Sequence, residues 1–299
     1  MKRSNHLLVT LCALCCTSFF LTSCQKSGSN PSDNLTVTAQ QQSELTASAE
    51  ADEEASSVYN EEFDNAVGVN ADLGVGTNIG VFEGKLVNGR EDSSHHCFNL
   101  TISPLTPGVF PKTVTLDFGS GCTGPRGVTR RGKVITVYTG PLAIAGNSSI
   151  TTFQDYYVDS VKVEGSLKVE NKSTSSGLAF TTTVENGKLT KPSGNYILWN
   201  QTRNWTQVEG QSTPFKPSDD VYNITGSASG TIKKDSITTQ YTASITDALV
   251  RKFSCRWISK GLVEITKNEL KATLDYGNGH CDNEATLTIG GVTINIKLR

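Results

Sequence analysis

The stretch "NYILWNQTRNWTQ", residues 195–207, alternates large or long side chains with mostly short polar ones. Because successive side chains of a β-strand point to opposite faces, this period of two predicts a strand with two chemically different faces. The larger side chains share one face: Ile197, Trp199, Gln201, Arg203 and Trp205. The stretch therefore favours a β-sheet over a helix.

Alternating runs rich in Val, Ile, Thr and Tyr recur on both sides of this stretch. They are "GKVITVYTG" (132–140), "DSVKVEGSLKVEN" (159–171), "LAFTTTVENGK" (178–188), "DVYNITGSASGTIKK" (220–234), "ITTQYTASIT" (237–246), "GLVEITKN" (261–268) and "ATLTIGGVTINIKL" (285–298). The connectors "VENGK" and "KKDS" contain the Asn-Gly and Asp-Ser pairs of tight hairpin turns, which join antiparallel neighbours. We predict an all-β fold, an antiparallel meander that forms either a sandwich or a curved open sheet.

Two nearly identical phrases indicate an internal repeat. "TLDFGSGC" occupies residues 115–122 and "TLDYGNGHC" occupies residues 273–281, and each is followed by an alternating run that contains glycine. The repeat units extend over about residues 95–140 and 253–299. The chain therefore contains a diverged duplication.

The cysteines of the two units have nearly the same spacing. Cys97 precedes Cys122 in the first unit and Cys255 precedes Cys281 in the second, and the inserted His280 accounts for the single-residue difference. Of the three ways to pair four cysteines, this repetition favours the two disulfides within the units, Cys97–Cys122 and Cys255–Cys281.

Metal binding is the alternative use of these residues. His95 and His96 adjoin the first cysteine and His280 adjoins the last, so a zinc site is conceivable, but the short Cys-x-x-Cys spacing of structural zinc sites is missing. Asp117 and Asp275 are followed by glycines where a calcium loop needs oxygen ligands, and they suit turns better. We predict no metal site.

The N-terminus carries an export signal. "MKRSNHLLVTLCALCCTSFFLTSC" begins with Lys2 and Arg3 and continues with an apolar run over residues 7–21 that is short for a membrane span. Residues 21–24, Leu-Thr-Ser-Cys, resemble the bacterial lipobox. That resemblance implies a signal peptide at residues 1–23 and acylation of Cys24, with several acyl chains as a stable membrane anchor.

The composition changes after Cys24. No Lys or Arg occurs between Ser27 and Gly84, while acidic residues recur. We interpret residues 24–74 as an acidic flexible tether with a short helix over "EEASSVYNEEFDNAV" (53–67), followed by a β-rich domain at residues 75–299.

The β-rich part is basic. Its densest basic cluster is "RGVTRRGK" (126–133), which contains Arg126, Arg130, Arg131 and Lys133. A solvated turn is the favoured interpretation of this cluster, and contact with anionic lipid head groups or polyanionic glycans is the alternative.

The layout of lipobox, acidic tether and Thr-rich β domain resembles outer-membrane lipoproteins of Bacteroidota. The resemblance implies an outer-membrane location. A residue other than Asp directly after the lipidated cysteine favours sorting to the outer membrane, and Gln25 occupies that position. No acidic residue follows Cys24 before Asp33, which favours the periplasmic leaflet over the cell surface. The expected partners are the membrane, through the lipidated N-terminus, and envelope proteins or glycans. Nucleic acid is not expected for an exported protein.

The sequence contains no serine nucleophile elbow, phosphate-binding loop or dinucleotide fingerprint, so we predict neither catalysis nor a cofactor. We predict a membrane-anchored, non-catalytic binding or assembly lipoprotein of the cell envelope. The alternatives are a carrier of a lipid or other apolar ligand, a glycan-binding module, and a hydrolase whose two carboxylates meet only in the fold.

Trp199, Gln201, Arg203 and Trp205 are the candidate ligand-binding residues. On an exposed face they would form a platform that stacks on and hydrogen-bonds to a glycan or peptide. The favoured interpretation places this face in the core, with Arg203 lying over Trp205.

"DSV" at residues 159–161 and "DSI" at residues 235–237 resemble the Bacteroidota O-glycosylation motif. The resemblance makes Ser160 and Ser236 candidate glycosylation sites. Both serines lie between alternating runs, where Asp-Ser pairs favour exposed turns.

Overall fold

The computed structural model describes residues 37–70, 80–82, 97–214 and 216–299. These residues form fourteen antiparallel strands in one open curved sheet, one long α-helix and one short 3₁₀-helix. The predicted all-β meander is confirmed, and it takes the form of a curved open sheet rather than a sandwich. The signal peptide, Cys24, His95 and His96 lie outside the described residues.

The elements follow in chain order. They are helix α1 (Ala39–Val67), strands β1 (Asn99–Ser103), β2 (Lys112–Asp117), β3 (Cys122–Thr123), β4 (Thr129–Tyr138), β5 (Ser148–Val158), β6 (Val161–Asn171), β7 (Ala179–Thr190) and β8 (Tyr196–Glu209), the 3₁₀-helix (Pro217–Asp219), and strands β9 (Val221–Lys234), β10 (Ile237–Lys252), β11 (Ile258–Lys267), β12 (Leu270–Asn278), β13 (Glu284–Ile289) and β14 (Val292–Lys297).

Each strand pairs with its neighbours in sequence, from β1 at one end of the sheet to β14 at the other. The one departure concerns β3, which has only two residues. Strand β2 pairs directly with β4, and β3 pairs with β4 as well. Two-residue turns connect β5 to β6 at residues 159–160 and β9 to β10 at residues 235–236. Ser160 and Ser236 are exposed in these turns, as the sequence predicted.

Strand β8 shows how alternation builds the two faces. Its odd-numbered residues from Ile197 to Gln207 are buried, and the even-numbered ones between them are exposed. Trp199 pairs with Gly230 of β9, where any Cβ would lie 2.2 Å from the ring of Tyr241. Only glycine at position 230 leaves room for the ring of Tyr241.

The helix α1 is the main departure from the sequence-based expectation. It has 29 residues and begins with a capping box in which Thr38 and Gln41 each cap the other's backbone N–H. The C-cap Gly68 has a φ of +90°. The prediction of a flexible tether is therefore wrong for Ala39–Val67, and the short helix predicted over residues 53–67 is the C-terminal half of a longer one.

Helix α1 packs on the concave side of the sheet, and its middle is covered on more than one face, since residues 51–56 are all buried. Its buried apolar residues are Leu45, Ala49, Ala51, Ala55, Tyr59, Phe63, Ala66 and Val67. Their spacing of mostly three or four residues gives the helix one continuous apolar stripe. Tyr59 donates a hydrogen bond to the carbonyl oxygen of Glu164 at 2.6 Å, and Tyr138 donates one to the carbonyl oxygen of Ala66 at 3.0 Å.

Both predicted disulfides, Cys97–Cys122 and Cys255–Cys281, are present. The first unit contains β1 to β4 at one end of the sheet, and the second contains β11 to β14 at the other.

The repeated phrases form equivalent turns. Asp117 accepts a hydrogen bond from the backbone N–H of Gly119 at 3.0 Å, and Asp275 accepts one from that of Gly277 at 2.8 Å. These aspartates are turn residues, as predicted.

Candidate functional site

The predicted ligand-binding face of β8 lies beneath α1. Trp199, Gln201, Arg203 and Trp205 are all buried, each less than 10% exposed. They therefore form no exposed platform in this structure, and the core-facing interpretation describes their positions. Their roles follow from their contacts with the helix and the neighbouring strands.

A buried polar cluster joins the middle of α1 to β8. Trp199 donates a hydrogen bond from Nε1 to Oδ1 of Asp52 at 2.8 Å, and Arg203 donates one to Oγ of Ser56 at 2.7 Å. Burial raises the pKa of Asp52, and the positive charge of Arg203 opposes that rise. The cluster fixes α1 through charged groups as well as apolar ones.

Two aromatic stacks flank this cluster. Tyr59 lies 5.6 Å from Trp199 and Phe63 lies 4.3 Å from Trp205, measured between ring centroids. The guanidinium of Arg203 lies 5.6 Å from the ring centroid of Trp199. The predicted position of Arg203 over Trp205 is thus wrong, because Phe63 occupies the face of that ring.

Ion pairs extend along the rest of α1. Arg130 contacts Glu61, with its Nε 2.9 Å from Oε1, and Arg251 contacts Asp64 at 2.7 Å. Further pairs join the helix to other strands and loops: Lys267 with Glu44, and Lys191 and Arg299 with Glu54. The acidic segment and the basic β domain are therefore two halves of one interface.

The residues of the basic cluster 126–133 lie in different environments: Arg130 is buried against the helix, whereas Arg131 is exposed. Arg130 is only 1% exposed and faces the helix, so the prediction of a solvated turn is wrong for this residue. Arg131 is exposed, and its guanidinium lies 3.5 Å from the ring centroid of Tyr157.

Burial also affects other carboxyl groups of α1. It raises the pKa of Glu53 and of Glu62 to about 7 each, mainly because the charged form loses water. The backbone N–H of Arg299 partly offsets the effect at Glu53, and the side-chain amide of Asn65 does so at Glu62. Asp64 also has a raised pKa, because burial outweighs the charge of Arg251.

A cavity of about 160 Å³ lies between the C-terminal half of α1 and the loop that joins β10 to β11. Helix residues Glu53, Glu61 and Asp64 line it together with Arg251 and Trp257. Three polar atoms of these residues are buried and have no hydrogen-bond partner among the described residues: Arg251 Nε, Asp64 Oδ1 and Trp257 Nε1. The cavity brings charged groups of both signs from the helix and the sheet to one place, and it is therefore the candidate binding site.

Larger cavities also occur among the described residues, and two of them differ in their lining. One of about 640 Å³ lies beside the N-terminal half of α1 and is lined by several lysines, including Lys191 and Lys234. The other, of about 660 Å³, is lined by Phe82, Leu178, Pro214 and a run of hydroxyl side chains.

The structure bears on the features that would favour each alternative function. The concave face is covered by α1 and carries Arg130, Arg203 and Arg251, so it is not the open apolar groove that a lipid carrier needs. The buried tryptophans offer no glycan platform. Glu61 and Asp64 do share a cavity, but each forms an ion pair with an arginine.

Comparison with protein-family models, curated proteins and solved structures found no significant match. Among the described residues, no group of three or more His, Cys, Asp or Glu side chains is arranged to hold a metal ion. Within the same residues, no helix is both long and apolar enough to cross a membrane.

Sequence reasoning missed Arg251, Asp64 and Trp257. Arg251 and Asp64 lie 187 residues apart, so no local spacing relates them. The available signal was the charge distribution, because a segment with many acids and no base precedes a basic domain.

Proposed function

We propose that this protein is a membrane-anchored, non-catalytic binding protein of the bacterial cell envelope. The observation that carries the binding function is the cavity beside α1. It brings carboxylates of the helix to basic and aromatic residues of the sheet and of the loop that joins β10 to β11. A polar ligand in this cavity would meet charged groups of both signs.

The anchor rests on the lipobox-like sequence that ends in Cys24. Only residues 25–36 separate Cys24 from the first described residue, Val37. An acylated Cys24 would hold the β domain close to the membrane surface. Gln25 and the absence of an early acidic residue support an outer-membrane location on the periplasmic leaflet.

The pairing of the cavity carboxylates supports binding over hydrolysis. Glu61 accepts hydrogen bonds from Arg130, and Asp64 accepts one from Arg251. A two-carboxylate hydrolase needs both groups free to act on a substrate, whereas each of these carboxylates is engaged by an arginine of the sheet.

The anchor is tested by metabolic labelling with an alkyne palmitate in the native host. The wild type should be labelled and the Cys24→Ser variant should not. Equal labelling of the two proteins would refute the anchor.

Binding is tested by native mass spectrometry of the protein extracted from its own membranes in a mild detergent. A bound small molecule should be released by heating and should be depleted in a Trp257→Phe variant. A wild-type mass with no added ligand, from several growth conditions, would contradict the binding function.

A further inference from the structure

Two uncharged loops lie side by side at one end of the sheet. The first joins β1 to β2 over residues 104–111, and the second joins β4 to β5 over residues 139–147. Lys112 begins β2 and pairs with Tyr138, which ends β4, so the two loops leave the sheet from adjacent strands. Their sequences are PLTPGVFP and TGPLAIAGN, and neither contains a charged residue.

These loops expose large apolar side chains. Leu105 is 81% exposed, Ile144 is 59% exposed and Val109 is 44% exposed, and we call these three side chains the apolar loop surface. Beside the second loop, Val137 of β4 pairs with Ile150 of β5, and both are exposed as well. Single exposed apolar residues are ordinary, whereas a group of them on neighbouring elements marks a surface that contacts another apolar body.

The second repeat unit has no counterpart of the first loop. Thr115 and Thr273 begin the two repeated phrases, so residues 104–111 correspond to the turn between β11 and β12. That turn consists of two polar residues, Asn268 and Glu269. The repeat unit therefore closes its hairpin without a long apolar loop, and the fold does not require one. Extra loop length in one unit alone is typical of a binding element.

In the first loop, a buried lysine fixes the backbone on both sides of Leu105. Lys112 is only 6% exposed, and its Nζ donates hydrogen bonds to the carbonyl oxygens of Pro104 and Thr106, the latter at 2.8 Å. The same ammonium group lies 5.8 Å from the ring centroid of Phe110. The loop is thus held from inside the protein while the side chain of Leu105 stays exposed.

In the second loop, two asparagine side chains bind backbone carbonyls in the same way. Asn147 donates from Nδ2 to the carbonyl oxygen of Pro141 at 2.9 Å, and the buried Asn171 donates to that of Leu142 at 2.6 Å. The backbone N–H of Ile144 also donates to the carbonyl oxygen of Pro141, at 3.0 Å. The two loops together contain four prolines, which have no N–H to satisfy. Each of these features removes the need of a backbone group for water.

We propose that the apolar loop surface inserts into a lipid bilayer. The hydrocarbon region of a bilayer offers a backbone no hydrogen-bond partners, so loops that enter it need internally bonded carbonyls and few N–H groups. A protein partner could supply hydrogen bonds itself and would not need this arrangement. The contact is hydrophobic, since neither loop carries a charge to attract anionic head groups. It goes beyond the proposed binding function and does not depend on acylation of Cys24.

The test uses the unlipidated chain of residues 25–299, which contains every described element and both disulfides. This protein is mixed with vesicles of phosphatidylethanolamine and phosphatidylglycerol, and the bound fraction is measured by sedimentation. Binding should persist in about 0.5 M salt and on vesicles of phosphatidylcholine alone, because salt screens electrostatic attraction but does not remove hydrophobic burial.

Two variants and a control assign the contact to the loops. Leu105→Ser and Ile144→Ser should each lower the partition coefficient about tenfold or more, because a large apolar side chain is no longer buried in lipid. Ile237→Ser is the matched control and should bind as the wild type does, since Ile237 is 62% exposed but begins β10, outside both loops. An environment-sensitive dye attached to Val109→Cys should shift its emission to the blue on vesicles, and the same dye on Ile237→Cys should not.

Several results would overturn the proposal. One is no binding at about 1 mM lipid, roughly ten times the concentration that half-binds a single myristoyl chain. Another is an equal loss of binding in Ile237→Ser. Binding that disappears in high salt or without phosphatidylglycerol would assign the contact to the basic cluster 126–133 instead. A dimer that Leu105→Ser abolishes, without vesicle binding, would make the surface an interface between two copies of the chain. None of these results bears on the Cys24 anchor, which the tested chain lacks.

Discussion

Replacement of Arg203 by methionine tests whether the buried charges hold α1 in the sheet. Arg203 is 2% exposed and is the basic residue whose charge acts on the fully buried Asp52. The guanidinium donates a hydrogen bond to Ser56, and a hydrogen bond that involves a charged group contributes about 1.5–3 kcal/mol. Its loss also removes the positive charge that opposes the rise in the pKa of Asp52. We therefore expect Arg203→Met to lower the free energy of unfolding by about 1.5–3 kcal/mol.

The assay is urea unfolding followed by tryptophan fluorescence at pH 7. The double variant Asp52→Asn/Arg203→Met should recover part of the loss, because the amide oxygen introduced at position 52 still accepts a hydrogen bond from Trp199 and no longer needs the positive charge of Arg203. Arg131→Met is the matched surface control and should cost less than about 1 kcal/mol, the size of an exposed cation–π contact. A loss below about 1 kcal/mol for Arg203→Met, or a double variant as unstable as the single one, would refute the reasoning.

Three further predictions concern pH, the disulfides and surface modification. Glu53 and Glu62 have folded pKa values of about 7, above the 4.5 of the unfolded chain, so the folded state binds more protons in that window. Stability should therefore fall as pH rises from about 4.5 through 7, and urea midpoints that rise over this range would contradict the burial of these groups. Removal of the Cys255–Cys281 disulfide in a Cys255→Ser/Cys281→Ser variant should lower the free energy of unfolding by roughly 3 kcal/mol on the entropic account. Non-reducing peptide mapping of the wild type should recover the two pairs within the repeats and no cross-repeat pair. Intact-mass analysis from a Bacteroidota host should show glycan that decreases in Ser160→Ala and Ser236→Ala, and an unmodified wild-type mass would leave both serines as turn residues only.

The sheet and its disulfides were predictable because their signals are local or repeated. Alternation along β8 follows directly from the geometry of a strand, and it identified the face that Trp199 and Trp205 share. The near-equal spacing of the cysteines in two related units selected one pairing of three. Neither inference needed to know which distant residues meet.

The long helix could not be predicted with the same ease. Its acidic residues are Glu44, Glu50, Asp52, Glu53, Glu54, Glu61, Glu62 and Asp64, and so many charges normally indicate a solvated or disordered segment. Glu54, Glu61 and Asp64 form ion pairs in the fold. Their partners are Arg299, Arg130 and Arg251, which lie at the C-terminus or on strands far along the chain. The capping box at Thr38 and the apolar spacing of Tyr59, Phe63 and Ala66 were the local signals of a longer helix.

The candidate cavity depends on this same long-range pairing. Trp257 follows the second repeat's first cysteine by two positions, and nothing in its local sequence separates a cavity residue from an ordinary loop aromatic. Its role becomes apparent only when Asp64 and Arg251 of other elements lie beside it.

The central claim is that residues 39–67 form the core of the curved sheet and one wall of its binding cavity. Hydrogen–deuterium exchange of the mature protein in membranes tests this claim most directly, because it reports the protection of each segment. The account predicts that amides of α1 from Leu45 to Ala66 exchange as slowly as those of β8 and β9. Exchange of the α1 amides within seconds, while β8 and β9 stay protected, would contradict it and return this segment to a solvated tether.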